Sequence, residues 1–128
     1  MDADVAAEVE RQHRLLASWL GTVAEPGVLA EPEAAHTADF SMVTVEGHVL
    51  HRPALLDWLA AAGNSRPGLR ILISDVTVVV ELEGAVLAGF LETHVEHRHT
   101  SSRRVTALLR RDPTALRWAH VQETPLPS

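Results

Sequence analysis

The sequence predicts an α+β fold, with helices first and a run of antiparallel strands after them. Two observations carry this. Residues 3–20 and 52–62 repeat apolar positions at helical spacing, whereas the late segments Ala85–His97, Ser102–Arg111 and Leu116–Thr124 alternate every second residue. Size agrees: 128 residues, 46% of them hydrophobic, suit one compact domain over 1–128 with its own core.

In the first helix Val5, Val9, Leu16 and Leu20 form one stripe flanked by Leu15 and Trp19. Asp2 or Asp4 suits its cap, and Gly21 its end. Pro26, Gly27 and Pro32 break Thr22–Ala35 into short helical turns. Asp39–Val45 reads as a strand, Glu46-Gly47 as a turn, and His48–His51 as a short return strand. Arg52–Ala62 is helical: Pro53 fits the first turn and Leu55, Leu56, Trp58, Leu59 and Ala62 supply the apolar side. After a Gly63-Asn64 stop and a loop, Leu69–Leu82 is a long β-branched strand. Glu83-Gly84, His99–Ser102 and Asp112-Pro113-Thr114 separate the strands that follow.

Those late strands have two unlike faces when every second residue is counted. Even positions give Phe90, Glu92 and His94, then Arg104, Thr106 and Leu108, then Trp118, His120 and Gln122. Odd positions give Leu87, Leu91 and Val95, then Val105, Ala107 and Leu109, then Ala119 and Val121. Aromatic, acidic, basic and imidazole groups together suit a cavity lining or a protein interface better than a face in water.

Composition narrows the function classes. There is no cysteine, so disulfides, thiolate metal sites and a Cys nucleophile are excluded. The net charge of −6 argues against nucleic acid as partner, and all eleven basic residues are Arg, a bias that suits a GC-rich genome. The charged first twenty residues and the lack of a long apolar run lead us to expect no secretory signal, no membrane association and a cytoplasmic location.

Four strings carry a family resemblance: Asp39-Phe40-Ser41-Met42-Val43-Thr44 followed by Gly47; Arg52-Pro53-Ala54-Leu55-Leu56-Asp57-Trp58-Leu59; Arg103-Arg104-Val105-Thr106-Ala107-Leu108-Leu109-Arg110; and Trp118-Ala119-His120-Val121-Gln122-Glu123-Thr124. In their order and spacing the chain resembles the nuclear-transport-factor-2-like superfamily, and within it the SnoaL-like and unknown-function branches. The resemblance implies a cone-shaped, cystatin-like fold, with N-terminal helices packed on a bent antiparallel sheet around a cavity. It also implies a homodimer formed through the sheet. Members include isomerases, polyketide cyclases, epoxide hydrolases and non-catalytic modules, so the cavity residues must decide the function.

The even-face polar set of Glu92, Arg104, Thr106 and His120, with His94 and Gln122 nearby, is the first candidate site. On strands about 4.8 Å apart these groups come within hydrogen-bond reach, with Arg104 holding Glu92 ionised and His120 as general base or polar anchor. The alternative is a satisfied polar network in the core or across a dimer interface. Asp39, three residues after His36, is a second candidate acid, or else a turn residue before its strand. The steroid-isomerase members use a tyrosine in the oxyanion site, and this chain has no Tyr. His94-Val95-Glu96-His97-Arg98-His99 has spacing reminiscent of metal ligands but reads as a solvated strand end, so no metal and no other cofactor is expected. Trp58, Phe90 and Trp118 are candidate walls for a small apolar organic ligand. The expected role is therefore small-molecule binding, with isomerase, cyclase or hydrolase chemistry within reach. The competing class is a non-catalytic binding or dimerisation module.

Overall fold

The computed structural model describes residues 2–127 of the chain. Helix α1 (Asp2–Gly21) is followed by a 3-10 turn (Pro26–Leu29) and the short α2 (Ala30–Ala34). Next come β1 (His36–Val43), β2 (Val49–His51), α3 (Arg52–Ala61), β3 (Arg70–Leu82), β4 (Ala85–Glu96), β5 (His99–Arg111) and β6 (Leu116–Pro125). The six strands form one sheet in the order β2-β1-β6-β5-β4-β3. Neighbours are antiparallel except β1 and β6, which run parallel, so the sheet is mixed rather than antiparallel throughout. Both strands of that pair start at the same end, where Trp118 N–H donates to the Ala35 carbonyl at 2.7 Å.

The helices cover one sheet face. Val5, Val9 and Leu20 of α1 and Leu55 and Leu59 of α3 are buried with Phe40, Val86, Ala88, Phe90, Val105, Ala107, Leu109 and Trp118 of the sheet. Apolar burial of this kind is the main term holding helices on a sheet. Directed bonds then fix their positions. Trp19 Nε1 donates to the Leu59 carbonyl at 2.7 Å, tying α1 to the end of α3. Gly63 lets the chain pass against that ring, since an added Cβ would lie 2.9 Å from Trp19 Cζ2. Arg111 reaches Asp4 at 2.7 Å and Glu81 at 3.0 Å, joining the start of α1 to both β5 and β3.

Strand register corrects the simple even-and-odd reading. The β4–β5 hairpin closes on Glu96 opposite His99, across the two-residue turn His97-Arg98, with Arg98 at φ 67°. A closing pair three residues apart sets even positions of β4 opposite odd positions of β5: Phe90 faces Val105 and Glu92 faces Arg103. Between β5 and β6 the register shifts at Leu108/Leu109, so Leu109 faces Trp118 but Leu108 faces His120. This bulge at Ala119 sends Trp118 inward and His120 outward. The inner face therefore carries Phe90, Glu92, His94, Arg103, Val105, Ala107, Leu109, Trp118, Val121 and Glu123. Arg104, Thr106, His120 and Gln122, expected beside Glu92, lie on the outer face.

Candidate functional site

The inner face does not fill completely. A hollow of about 550 Å³ remains between α1, α3, the β1–β2 hairpin and the sheet. Its wall is mostly apolar, with Leu16, Phe40, Met42, Leu59, Val105 and Trp118 among the lining residues. Trp58 lines it too while remaining half exposed to solvent. Polar groups enter from five directions: Gln12 and His13 from α1, His36, Thr44, Glu46 and His48 from β1 and the turn after it, Arg66 from the loop before β3, Glu92 and His94 from β4, and Arg103 and Glu123 from β5 and β6.

Helix α1 brings His13 to Glu92 because of its spacing. Val5, Val9 and Leu20 are buried and Leu16 is partly buried along one stripe, and residues 12 and 13 fill the gap in it. Gln12 is 2% exposed and His13 8%. A buried polar pair on an otherwise apolar stripe must find partners. His13 Nδ1 donates to the Val9 carbonyl one turn back at 2.8 Å, which points Nε2 at Glu92 Oε1, 3.1 Å away. The ring packs edge-on against Phe90 and Trp118.

Glu92, 4% exposed, is held on its other oxygen by His94 Nε2 at 2.5 Å. Arg66 Nη1 approaches His94 Nδ1 at 2.9 Å. A guanidinium can only donate, so Nδ1 accepts and Nε2 carries the ring proton toward Glu92. Arg66 is itself anchored by Glu96, with Nη2 2.5 Å and Nε 3.1 Å from the same carboxylate oxygen. One chain of contacts thus runs Glu96–Arg66–His94–Glu92–His13.

The proton count follows from these bonds. With Nδ1 committed to Val9, His13 can donate to Glu92 only as an imidazolium. Burial works against that charged form, but the charge and hydrogen bond of Glu92 outweigh it and raise the His13 pKa above the ordinary histidine value. Burial likewise opposes ionisation of Glu92, yet His13 and His94 together hold its carboxyl well below the usual range. The two form a buried imidazolium–carboxylate pair. Both imidazoles have each ring nitrogen engaged. Each carboxylate oxygen of Glu92 has further lone-pair capacity, so Glu92 is the member able to accept another hydrogen bond.

A second ion pair closes the same end of the hollow, with Arg103 Nη1 3.6 Å from Glu123. Burial and then the neighbouring Glu92 charge push the Glu123 pKa up, against the pull of Arg103. Each buried charge in the wall is therefore offset by a neighbour.

Phe90, Glu92, Trp118 and Trp58 all border the hollow. The outer-face residues do not. Arg104 reaches exposed Asp75 at 3.4 Å, and His120 Nδ1 lies 2.9 Å from Ser41 Oγ across the β1–β6 pair. Thr106 and Gln122 are exposed. Asp39 is also outside, accepting two hydrogen bonds from Arg110 at 3.0 Å. Of the clustered histidines only His94 points inward; His97 and His99 are exposed. Among the described residues no group of three His, Cys, Asp or Glu is arranged to hold a metal ion. His13, Arg66 and Arg103 were not singled out by alternation. The signal for His13 was its place in the apolar stripe of α1.

Solved structures share this architecture. An NTF-2-like protein of unknown function from Pseudomonas aeruginosa superposes with a TM-score of 0.92 at 30% identity, over 97% of this chain and 99% of that one. The chain belongs to the NTF2-like family. A candidate dehydratase of the NTF2-like family from Streptomyces avermitilis matches this NTF2-like chain with a TM-score of 0.79 at 16% identity, over 99% and 96% of the two chains. A candidate scytalone dehydratase from Novosphingobium aromaticivorans gives a TM-score of 0.79 at 9% identity, over 98% and 83%. At such identities these two share the fold alone. No protein-family model and no curated protein sequence matches the chain. No helix of this NTF2-like domain is long and apolar enough to cross a membrane, among the described residues.

Proposed function

We propose that this NTF2-like domain binds a small, uncharged and largely apolar organic molecule in the inner hollow. The observation that carries the reading is Glu92: a buried carboxylate, held ionised by two imidazoles, bordering a space of about 550 Å³ with an apolar wall. Burying an ionised carboxylate is costly, and a packed core would replace it with an apolar side chain. Here the lining supplies shape and Glu92 supplies one fixed acceptor, the usual division of labour in small-molecule sites. The offset charges of the wall favour a neutral ligand.

Proton transfer on that ligand is the second reading. It is favoured by the proton that His13 and Glu92 share, because such a pair can hold or release a proton beside a bound substrate. A thermal-shift screen of neutral aromatic and alicyclic alcohols, ketones and aldehydes tests binding. A ligand present at a hundred times its dissociation constant adds about 2.7 kcal/mol, enough for a rise of about 10 °C in melting temperature. No rise across the library contradicts the binding reading. Turnover of a bound compound that survives in both His13→Asn and Glu92→Gln contradicts the proton-transfer reading.

On the outer face, Leu87, Leu91 and Leu108 form an apolar row continued by exposed Leu72 and Val80 on β3. We assign homodimer formation to this face; sedimentation at micromolar concentration tests it, with a monomer overturning the assignment.

A further inference from the structure

Four buried side-chain polar atoms among the described residues lack a protein partner: Gln12 Oε1, His36 Nδ1, Arg52 Nε and Arg103 Nε. Three of these belong to residues that line the inner hollow, namely Gln12, His36 and Arg103. Buried polar groups are normally satisfied, so their concentration around one space is informative.

Gln12 is the most constrained of them. It is 2% exposed and ranks among the largest fully buried side chains. Its Nε2 donates to the Pro32 carbonyl at 3.2 Å. That bond fixes the amide orientation, because a flipped amide would set one oxygen against another. Oε1 is thereby left as an acceptor on a residue of the cavity wall. The position belongs to the buried stripe of α1, where an aliphatic residue would pack without any polar cost.

We propose that Gln12 Oε1 is a recognition point for a hydroxyl or N–H of the ligand, so that the hollow selects neutral molecules bearing a hydrogen-bond donor over their methylated or anionic counterparts. The proposal rests on the ligand-binding reading above and deepens it. Three features support the selection. A methyl ether in the donor's place would leave Oε1 buried and unpaired. A carboxylate would meet the amide oxygen with like polarity. The two arginines of the wall are already paired, Arg103 with Glu123 and Arg66 with Glu96, and so do not call for an anion. Burial keeps His36, at the start of β1, below the ordinary histidine pKa, so its ring adds no charge to this part of the wall.

The test uses 2-naphthol, 2-methoxynaphthalene and 2-naphthoate, which differ only in the group offered to Gln12. Affinities are measured by titration calorimetry on the full chain. The expected result is 2-naphthol binding at least about tenfold tighter than the other two, with that preference falling below about twofold in Gln12→Met. A co-crystal structure gives a readout that needs no variant: the naphthol oxygen is expected within hydrogen-bond distance of Gln12 Oε1. Equal binding of naphthol and its ether, or a water on Oε1 with the naphthol oriented elsewhere, overturns the Gln12 assignment and leaves the cavity reading standing. Failure of all three aromatics to bind overturns both.

Discussion

Arg66 donates to His94 Nδ1 at 2.9 Å while His94 Nε2 donates to Glu92 at 2.5 Å, so both contacts call for the same Nε2–H tautomer. The loop before β3 thus supplies the second hydrogen bond of a buried strand residue. Replacing Arg66 by Met removes the donor and frees His94 Nδ1. Long-range ¹⁵N–¹H NMR of the imidazole is expected to show the Nε2–H form in both wild type and Arg66→Met, because the Glu92 carboxylate can only accept, with the Nδ1 resonance moving in the variant as its hydrogen bond is lost. Stability is expected to fall by about 2 kcal/mol, the scale of a hydrogen bond to a charged group. An Nδ1 resonance that does not move in the variant contradicts this role for Arg66.

The His13–Glu92 pair gives stability a defined pH dependence. The folded-state pKa of His13 is raised, so its contribution is complete below the unfolded value of about 6.5 and decays as pH rises through the folded value. Glu92 has a lowered folded-state pKa, so its contribution is present above the unfolded value of about 4.3 and is lost as pH falls far below it. Denaturant titrations are expected to place the greatest contribution of the pair between about pH 4.5 and 6.5. In Glu92→Gln, about 3–5 kcal/mol is lost at pH 6, because His13 is left buried without its counter-charge. A variant as stable as the wild type at that pH contradicts the ion pair.

Trp58 should report occupancy of the hollow. Trp19 and Trp118 are buried, with indole N–H groups bonded to the Leu59 carbonyl and to Glu8, whereas Trp58, which lines the hollow together with Trp118, is 53% exposed and so has solvent to lose. A bound aromatic ligand is expected to blue-shift the wild-type emission. In Trp58→Phe the spectrum is expected to stay almost fixed while calorimetry still detects binding. An unaltered shift in that variant places the reporter elsewhere.

His120 and Asp39 serve as controls. Both sit outside the hollow, one beside Ser41 and the other beside Arg110. His120→Ala and Asp39→Asn are expected to leave ligand affinity unchanged in titrations. A loss of binding in either moves the site toward the outer face.

The helices, the strands and the overall α+β order were legible because apolar spacing is a local property. The inward placement of Phe90 and Glu92 was legible for the same reason. Partners across strands were not, because they depend on hairpin closure. The two-residue turn at His97-Arg98 exchanges Arg104 for Arg103 on the inner face, and the bulge at Ala119 exchanges His120 for Val121. One residue at each place decides the face, and neither Arg98 nor Ala119 carries a strong turn or bulge signature. His13 comes from a helix some eighty positions before Glu92, a distance that no strand alternation spans. The parallel pairing of β1 with β6 was likewise a matter of topology rather than of local pattern.

Methyl-resolved NMR of a titration with 2-naphthol tests the central claim most directly, because methyl groups separate the two sheet faces. Val105, Val121 and Leu59 line the hollow, whereas Leu87, Leu91 and Leu108 occupy the opposite face. The account predicts saturable shifts confined to the first group, and their disappearance when Glu92 and Gln12 are replaced together. Shifts centred on Leu87, Leu91 and Leu108, or none at all, would contradict it.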